Sequence, residues 1–466
     1  MPVAKISTSS HDRRRAYLYR YGISFIGILV FGFFFTLRQS DFVFVYIDVS
    51  ALQGISYLPQ PFVDLSSVVR ALACAQAGVH VYVPNACMGG NYNYSPLLLH
   101  IPIPAGLAHH VVLIGIIMVL AFLAMLSCLP PPRTRAEFAC RALASVSSSV
   151  IFALEQGNID VLIFMIVLAA IFLLSRGFAF RLISYALILL IAAIKFYPAT
   201  LMVLALREPF KRFIALVLVV TLTACLFLAI FSHQTATAID IIPRVGPLSN
   251  GFGAVDIPFG LSVILDPPVP MSDAAVASYK LPMVARLSYA MMIMLSAYAA
   301  LRTSKIFRPQ LAIARLQSLD CLIAGAVIIV TCFYLAQNIM YRGIFLLLVF
   351  PALFDMRASP DPLAARTINR LIAAVLFLMW EELFRVSLIN VAPLIVGKTP
   401  AYSVDILFWL FREGVWWWVI IQLSAIILSF VIGATAAMLG QGGGVMGTTA
   451  ESAPLENHAA TKRSGV

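Results

Sequence analysis

The chain has 466 residues, 61% of them hydrophobic and 11% charged, with a mean hydropathy of +0.94. Soluble domains carry roughly 25% charged residues, so this composition excludes a particle that covers itself with a polar coat. The formal net charge of +11 comes from Lys and Arg grouped in short loops, the habit of a membrane protein's cytoplasmic side, and not from a basic face for nucleic acid.

Lipid leaves the backbone to satisfy its own hydrogen bonds, so the choice is helices or a closed barrel. Long unalternating runs such as "FIALVLVVTLTACLFLAIF" (213–231) are written for helices. In chain order, a cytoplasmic N-terminus (1–20) carries Arg13, Arg14, Arg15 and Arg20. The apolar run at 21–37 follows, with no small-residue cleavage site after it, and predicts a retained first helix. Residues 38–105 form a long polar loop. Within it, apolar residues at 65, 68, 69, 72 and 73 predict an amphipathic helix that begins at Asp64 and lies along the membrane surface. Cys74 and Cys87 share this loop; they are either a disulfide, if the loop is extracytoplasmic, or two small core residues. The other five cysteines show no metal-ligand spacing.

Spans are then expected near 106–128, 138–154, 159–175, 181–196, 198–207, 212–232, 284–301, 319–336, 343–356, 369–390 and 414–439, with a re-entrant or interfacial piece near 391–411. That is an all-α, polytopic transmembrane bundle of roughly 11–13 membrane elements spread over 21–439. A second long loop, rich in Pro and Gly, covers 233–283, and a low-complexity tail at 440–466 is expected to be disordered and cytoplasmic. Alternating from a cytoplasmic N-terminus puts most of the 32 Lys and Arg inside, among them Arg133, Arg135, Arg176, Arg181, Lys211, Arg212, Arg302 and Lys305. The cytoplasmic loops are short, with no room for a nucleotide-binding domain and no Walker-type glycine loop.

The opposite level collects the chemistry. Asp64, Glu155, Asp160, Lys195 and Arg342 all project there, accompanied by Asn158, Tyr197, Asn338 and Tyr341. Charges at membrane depth are costly and usually functional, although an outer cap of satisfied helix termini would look similar. Asp64 is either a helix cap or a general base toward an acceptor hydroxyl. Asp41 and Asp48, in the same loop, compete for the second role. Lys195, at a helix end broken by Pro198, and Arg342 are the natural anion partners, singly indistinguishable from snorkelling cations but jointly suited to a lipid phosphate.

"VDLSSVVRALACAQAGVHVYVPN", "YNYSPLLL", "LEQGNIDVLIF", "IAAIKFYPATLMVLAL" and "NIMYRGIFLLLVFP", in this order, resemble segments of the GT-C superfamily of membrane glycosyltransferases. The likeness is greatest to glycosyltransferase family 87, which includes polyprenyl-phosphate-mannose-dependent mannosyltransferases, and covers most of 15–356. The stretch "NACMGGNYNYSP" departs from the pattern. The resemblance implies a GT-C-type bundle with a catalytic Asp in the first extracytoplasmic loop, falling on Asp64. It further implies a polyprenyl-phosphate sugar donor, an inverting transfer to an extracytoplasmic glycan or glycolipid, and no metal or other cofactor. On that footing Lys195, Arg342, Tyr197 and Tyr341 hold the donor phosphate. Glu155, Asn158 and Asp160 line the acceptor side. Tyr82, Tyr92 and Tyr94 offer flat faces to sugar rings, and Asn85, Asn91 and Asn93 offer hydrogen bonds to hydroxyls. The implied setting is a bacterial inner membrane with the site facing outward. The alternative is a lipid-linked saccharide transporter or flippase, which requires polar residues through the full membrane depth.

Overall fold

The computed structural model describes residues 10–440 apart from 56, 90–91, 105, 243–245, 247 and 269–272. The tail beyond Gly440 and the sugar-contact role expected of Asn91 lie outside the described residues.

The chain opens with α1 (Ser10–Gln39), then α2 (Val43–Leu52), α3 (Val63–Gln76) and the single turn α4 (Pro96–Leu99). It continues through α5 (Val111–Met125), α6 (Arg135–Ser145), α7 (Ser148–Gln156), α8 (Ile159–Leu174), α9 (Phe178–Ile194) and α10 (Phe210–Asp240). The second long loop holds α11 (Asp256–Leu265) and α12 (Asp273–Ser278). The remainder is α13 (Met283–Phe307), α14 (Leu316–Leu335), α15 (Phe350–Met356), α16 (Pro362–Met379), α17 (Glu381–Val396) and α18 (Lys398–Met438). Two short strands, β1 (Gly251–Phe252) and β2 (Asn338–Ile339), pair antiparallel with Gly251 opposite Ile339.

Among the described residues seven helices are long and apolar enough to cross a membrane, and the α6–α7 pair, bent by 41°, makes an eighth. The protein is therefore a multi-pass membrane protein. α8 has 16 residues, or roughly 24 Å at 1.5 Å per residue, short of a ~30 Å hydrocarbon core. The expected short span at 198–207 is 3₁₀-helical, over Tyr197–Arg207, and that at 343–356 is a 3₁₀ segment, Met340–Leu348, followed by α15. The tighter 3₁₀ spiral rises ~2 Å per residue, which stretches a short segment further across the layer.

α14 is the axis of the bundle: Leu322, Ile323, Ile328 and Ile329 are fully buried. It touches the 340–348 segment backbone to backbone, since a Cβ on Gly325 would lie 2.8 Å from the Phe345 carbonyl oxygen. Such close approach supplies the packing that holds helices together when lipid is as apolar as the protein. Around this apolar core, buried ion pairs mark the two ends. At one end stand Glu137–Arg141 at 3.1 Å, Asp355–Arg315 at 2.8 Å, Glu208–Arg181 at 2.8 Å, and Asp320 with Arg207. The candidate site is at the other.

The loop expected to carry an amphipathic helix does so. α3 buries Val68, Val69, Ala71, Leu72 and Cys74 on one stripe. Cys74 is disulfide-bonded to Cys87, with Cα atoms 6.1 Å apart, which resolves the open alternative and pins the following loop to α3.

Candidate functional site

Five segments deliver polar groups to one place: the first turn of α3, the first turn of α8, the end of α9 with the start of the 197–207 segment, the first turn of the 340–348 segment, and the Tyr94 loop. The local sequence makes each end stop there. Gly157 adopts φ +61° to finish α7, and Asn158 caps α8 by accepting the Asp160 amide at 2.9 Å. α9 stops at Ile194 because Lys195 is extended and Pro198 cannot continue an α-helix without losing a hydrogen bond.

Asp160 is the hub. It is 0% exposed, and Lys195 Nζ donates to its Oδ1 at 2.6 Å. The Tyr197 hydroxyl donates to the same oxygen at 2.7 Å, and Arg342 Nε reaches Oδ2 at 3.3 Å. Lys195 also stands over the Tyr94 ring at 5.2 Å, and Arg342 over the Tyr197 ring at 5.3 Å. Tyr341 packs edge-on to Phe152 at 5.8 Å, beside Arg342 in the same turn. The side chains of Lys195 and Arg342 keep 11% and 21% of their surface open, so the cations are anchored but reachable.

Asp64 joins this group through Asn158, whose Nδ2 donates to Oδ2 at 2.5 Å. It is not the helix cap. α3 starts at Val63, its flanking residue is Phe62, and no side chain caps it. Asp64 is half-buried, and burial holds its carboxyl above the ordinary carboxylate range. The Asn158 hydrogen bond and the Lys195 charge pull it back, and Asp160 pushes it further up.

Glu155 points elsewhere. Its carboxylate pairs with Arg38, which also donates to the Tyr46 hydroxyl at 2.8 Å and to the Leu58 carbonyl at 2.5 Å. Glu155 serves Asp64 from behind: its carbonyl accepts the Phe62 amide at 3.0 Å. Phe62 has φ 58°, a left-handed conformation that costs a non-glycine residue about 1–3 kcal/mol. Its ring fills the space against Gly115 and Gly157, where a Cβ would collide. Tyr82 also stays out of the cluster. It packs against Tyr92 at 5.5 Å, and its hydroxyl donates to the Tyr94 carbonyl at 3.2 Å, so it shapes the loop that presents Tyr94. Asp41 and Asp48 are exposed and take no part in the hydrogen bonds that join the cluster.

Two buried networks escaped the reading of the sequence. One is Arg38 with Tyr46 and Glu155. The other surrounds Arg412, Glu413, Glu381 and Glu382 and lies in "WEELFR" and "FREGVWWW", where charges interrupt apolar runs; that interruption was the available signal. Among the described residues no three His, Cys, Asp or Glu side chains gather closely enough to hold a metal ion. Comparison with protein-family models, curated proteins and solved structures finds no match.

Proposed function

We propose that the protein is a membrane glycosyltransferase of GT-C type that moves a hexose or pentose, mannose-like at first choice, from a polyprenyl-phosphate donor to a glycan or lipid acceptor. The observation that carries this is the convergence of Lys195, Tyr197 and Arg342 on Asp160, with Asp64 tied to the same group through Asn158.

The two carboxylates have different environments and so different roles. Asp160 accepts three donors and is spent on holding two cations in place. Asp64 accepts Asn158 on one oxygen, and its raised affinity for a proton suits a base. In the proposed step Asp64 takes the proton of an acceptor hydroxyl, and that oxygen attacks the anomeric carbon. The bond from that carbon to the phosphate oxygen breaks, and polyprenyl phosphate leaves with the electron pair. The configuration at carbon inverts. Lys195 and the Nη end of Arg342 neutralise the departing phosphate, since among the described residues Arg342 spends only Nε on Asp160. Tyr94 and Tyr341 flank the cations and offer ring faces to the sugar.

Two features support an extracytoplasmic site. The loop that carries Asp64 contains a disulfide, a bond that persists in oxidising compartments. The Arg-rich ends of the bundle lie at the opposite level, as the positive-inside bias requires. A bacterial inner membrane is the proposed setting. A transporter or flippase would need polar groups along the path between the two levels, whereas α14 packs a continuous apolar core there.

The test is to give purified protein in liposomes a panel of polyprenyl-phosphate sugars and follow donor and acceptor separately. The expected result is acceptor-dependent loss of the sugar–phosphate bond for at least one donor. Movement of an intact donor across the bilayer without bond cleavage would sink the enzyme reading and favour the flippase.

A further inference from the structure

Arg412 is 1% exposed on α18, yet it gives its fork to the backbone of the second long loop: Nη1 to the Ser249 carbonyl at 2.7 Å and Nη2 to the Gly251 carbonyl at 2.9 Å. A guanidinium loses several kcal/mol of hydration on burial unless carboxylates and further acceptors replace it. Glu413 Oε1 supplies this at 2.7 Å from Nη2, and Glu382 Oε1 lies 3.5 Å from Nη1. The surrounding acids keep the charge in place, and the planar fork is left to grip two carbonyls at once, which a Lys cannot do.

What it grips leads directly to the site. Gly251 and Phe252 form β1, and β2 opposite them is Asn338–Ile339. The Met340 amide donates to the Asn250 carbonyl at 2.9 Å, and the next two residues are Tyr341 and Arg342. Phe252 stacks on Trp416 with ring centres 4.3 Å apart and planes 8° from parallel, and Trp416 Nε1 donates to Glu381 Oε2 at 2.9 Å. The loop is also clamped to the end of α14. Ala254 donates to the Phe333 carbonyl at 2.7 Å, and a Cβ on Gly253 would sit 2.9 Å from the Ala336 carbonyl oxygen. Asn338 Nδ2 donates to the Cys332 and Ala336 carbonyls at 2.6 Å each.

We infer that Arg412 is a positioning residue: by holding β1 against β2 it fixes the 338–342 turn and with it the Arg342 guanidinium that meets the donor phosphate. This rests on the glycosyltransferase reading for its kinetic consequence, but not for its structural one. Arg342 sits in the first turn of the 3₁₀ segment that follows β2 directly, so a small drift of the ladder moves the cation away from Asp160 and from the ligand.

Two variants test it, Arg412→Lys, which keeps the charge but cannot span two carbonyls, and Phe252→Leu, which loosens the same strand without touching a charge. Each is expected to lower kcat/KM for the donor about tenfold, the loss of one charged hydrogen bond that serves both donor binding and phosphate departure, with the acceptor KM within about twofold of the parent. Each is also expected to speed amide hydrogen exchange at 338–342 while α14 exchanges as before. Equal loss toward donor and acceptor with faster exchange throughout the bundle would make Arg412 merely structural and overturn the inference. Unchanged exchange at 338–342 would do so as well, even if the parent protein consumes no polyprenyl-phosphate sugar and the functional reading fails on its own. Where Arg412→Lys does not accumulate, Phe252→Leu carries both readouts.

Discussion

Asp160 is sealed from solvent with both oxygens engaged, while Asp64 is half-buried and takes its described hydrogen bond from Asn158. This difference fixes how activity should respond to pH. Burial is the largest influence on Asp64 and lifts its carboxyl above the ordinary range; the Asn158 bond and Lys195 only partly offset it. A base works in its ionised form, so kcat/KM should rise with pH through the raised pKa and then level off. The midpoint of that acid limb is expected clearly above roughly 4, the value of an unperturbed aspartate, in a pH profile of donor consumption. A midpoint at or below the unperturbed value would show that solvent or cations dominate at Asp64. That Asp64, Asp160, Lys195 and Arg342 share one level was legible in advance, because charges at the ends of apolar runs stand out; which way the Asp64 carboxyl shifts was not, since a helix cap would lower it and burial raises it. The partner of Glu155 was not legible either. Arg38 is 117 positions away, and spacing gives no hint of which way a carboxylate turns at a helix end.

α3 could be read from its apolar stripe, yet the loop behind it could not, because it has no periodicity to read. It is organised by the Cys74–Cys87 bond and by a chain of rings, Tyr82, Tyr92 and Tyr94, with successive centroids 5.5 and 5.7 Å apart. The disulfide closes a sequence separation of 13 residues, and in the chain-entropy model a loop of that length is worth about 3 kcal/mol. In Cys74→Ser the loss should stay local. Amides of 79–89 and 92–95 are expected to exchange faster and Tyr94 to leave Lys195, with α14 and the far ion pairs protected as before. Exchange unchanged in that loop would mean that ring packing alone holds it. The two 3₁₀ segments show the same limit of sequence reading. Apolar length predicted short spans at both places, but it carries no signal that separates 3₁₀ from α over so few residues.

The molecule as a whole separates two levels of charge by a packed apolar core. At one level buried acids hold arginines at helix ends; at the other, acids, cations and rings from distant parts of the chain form a half-open cluster. Composition and the long unalternating apolar runs together dictated the helical, multi-pass architecture, since lipid permits only helices or a closed barrel. The convergence of α3, α8, α9 and the 340–348 segment required the three-dimensional packing. The most direct trial of the proposed chemistry is Asp64→Asn, which keeps the shape and the Asn158 neighbour but removes the base. Native mass spectrometry and turnover with the same polyprenyl-phosphate sugar should find that variant binding the donor like the parent, with sugar transfer reduced by about 10²-fold or more. Transfer at the parental rate by Asp64→Asn, or failure of both proteins to bind any polyprenyl-phosphate sugar, would contradict it.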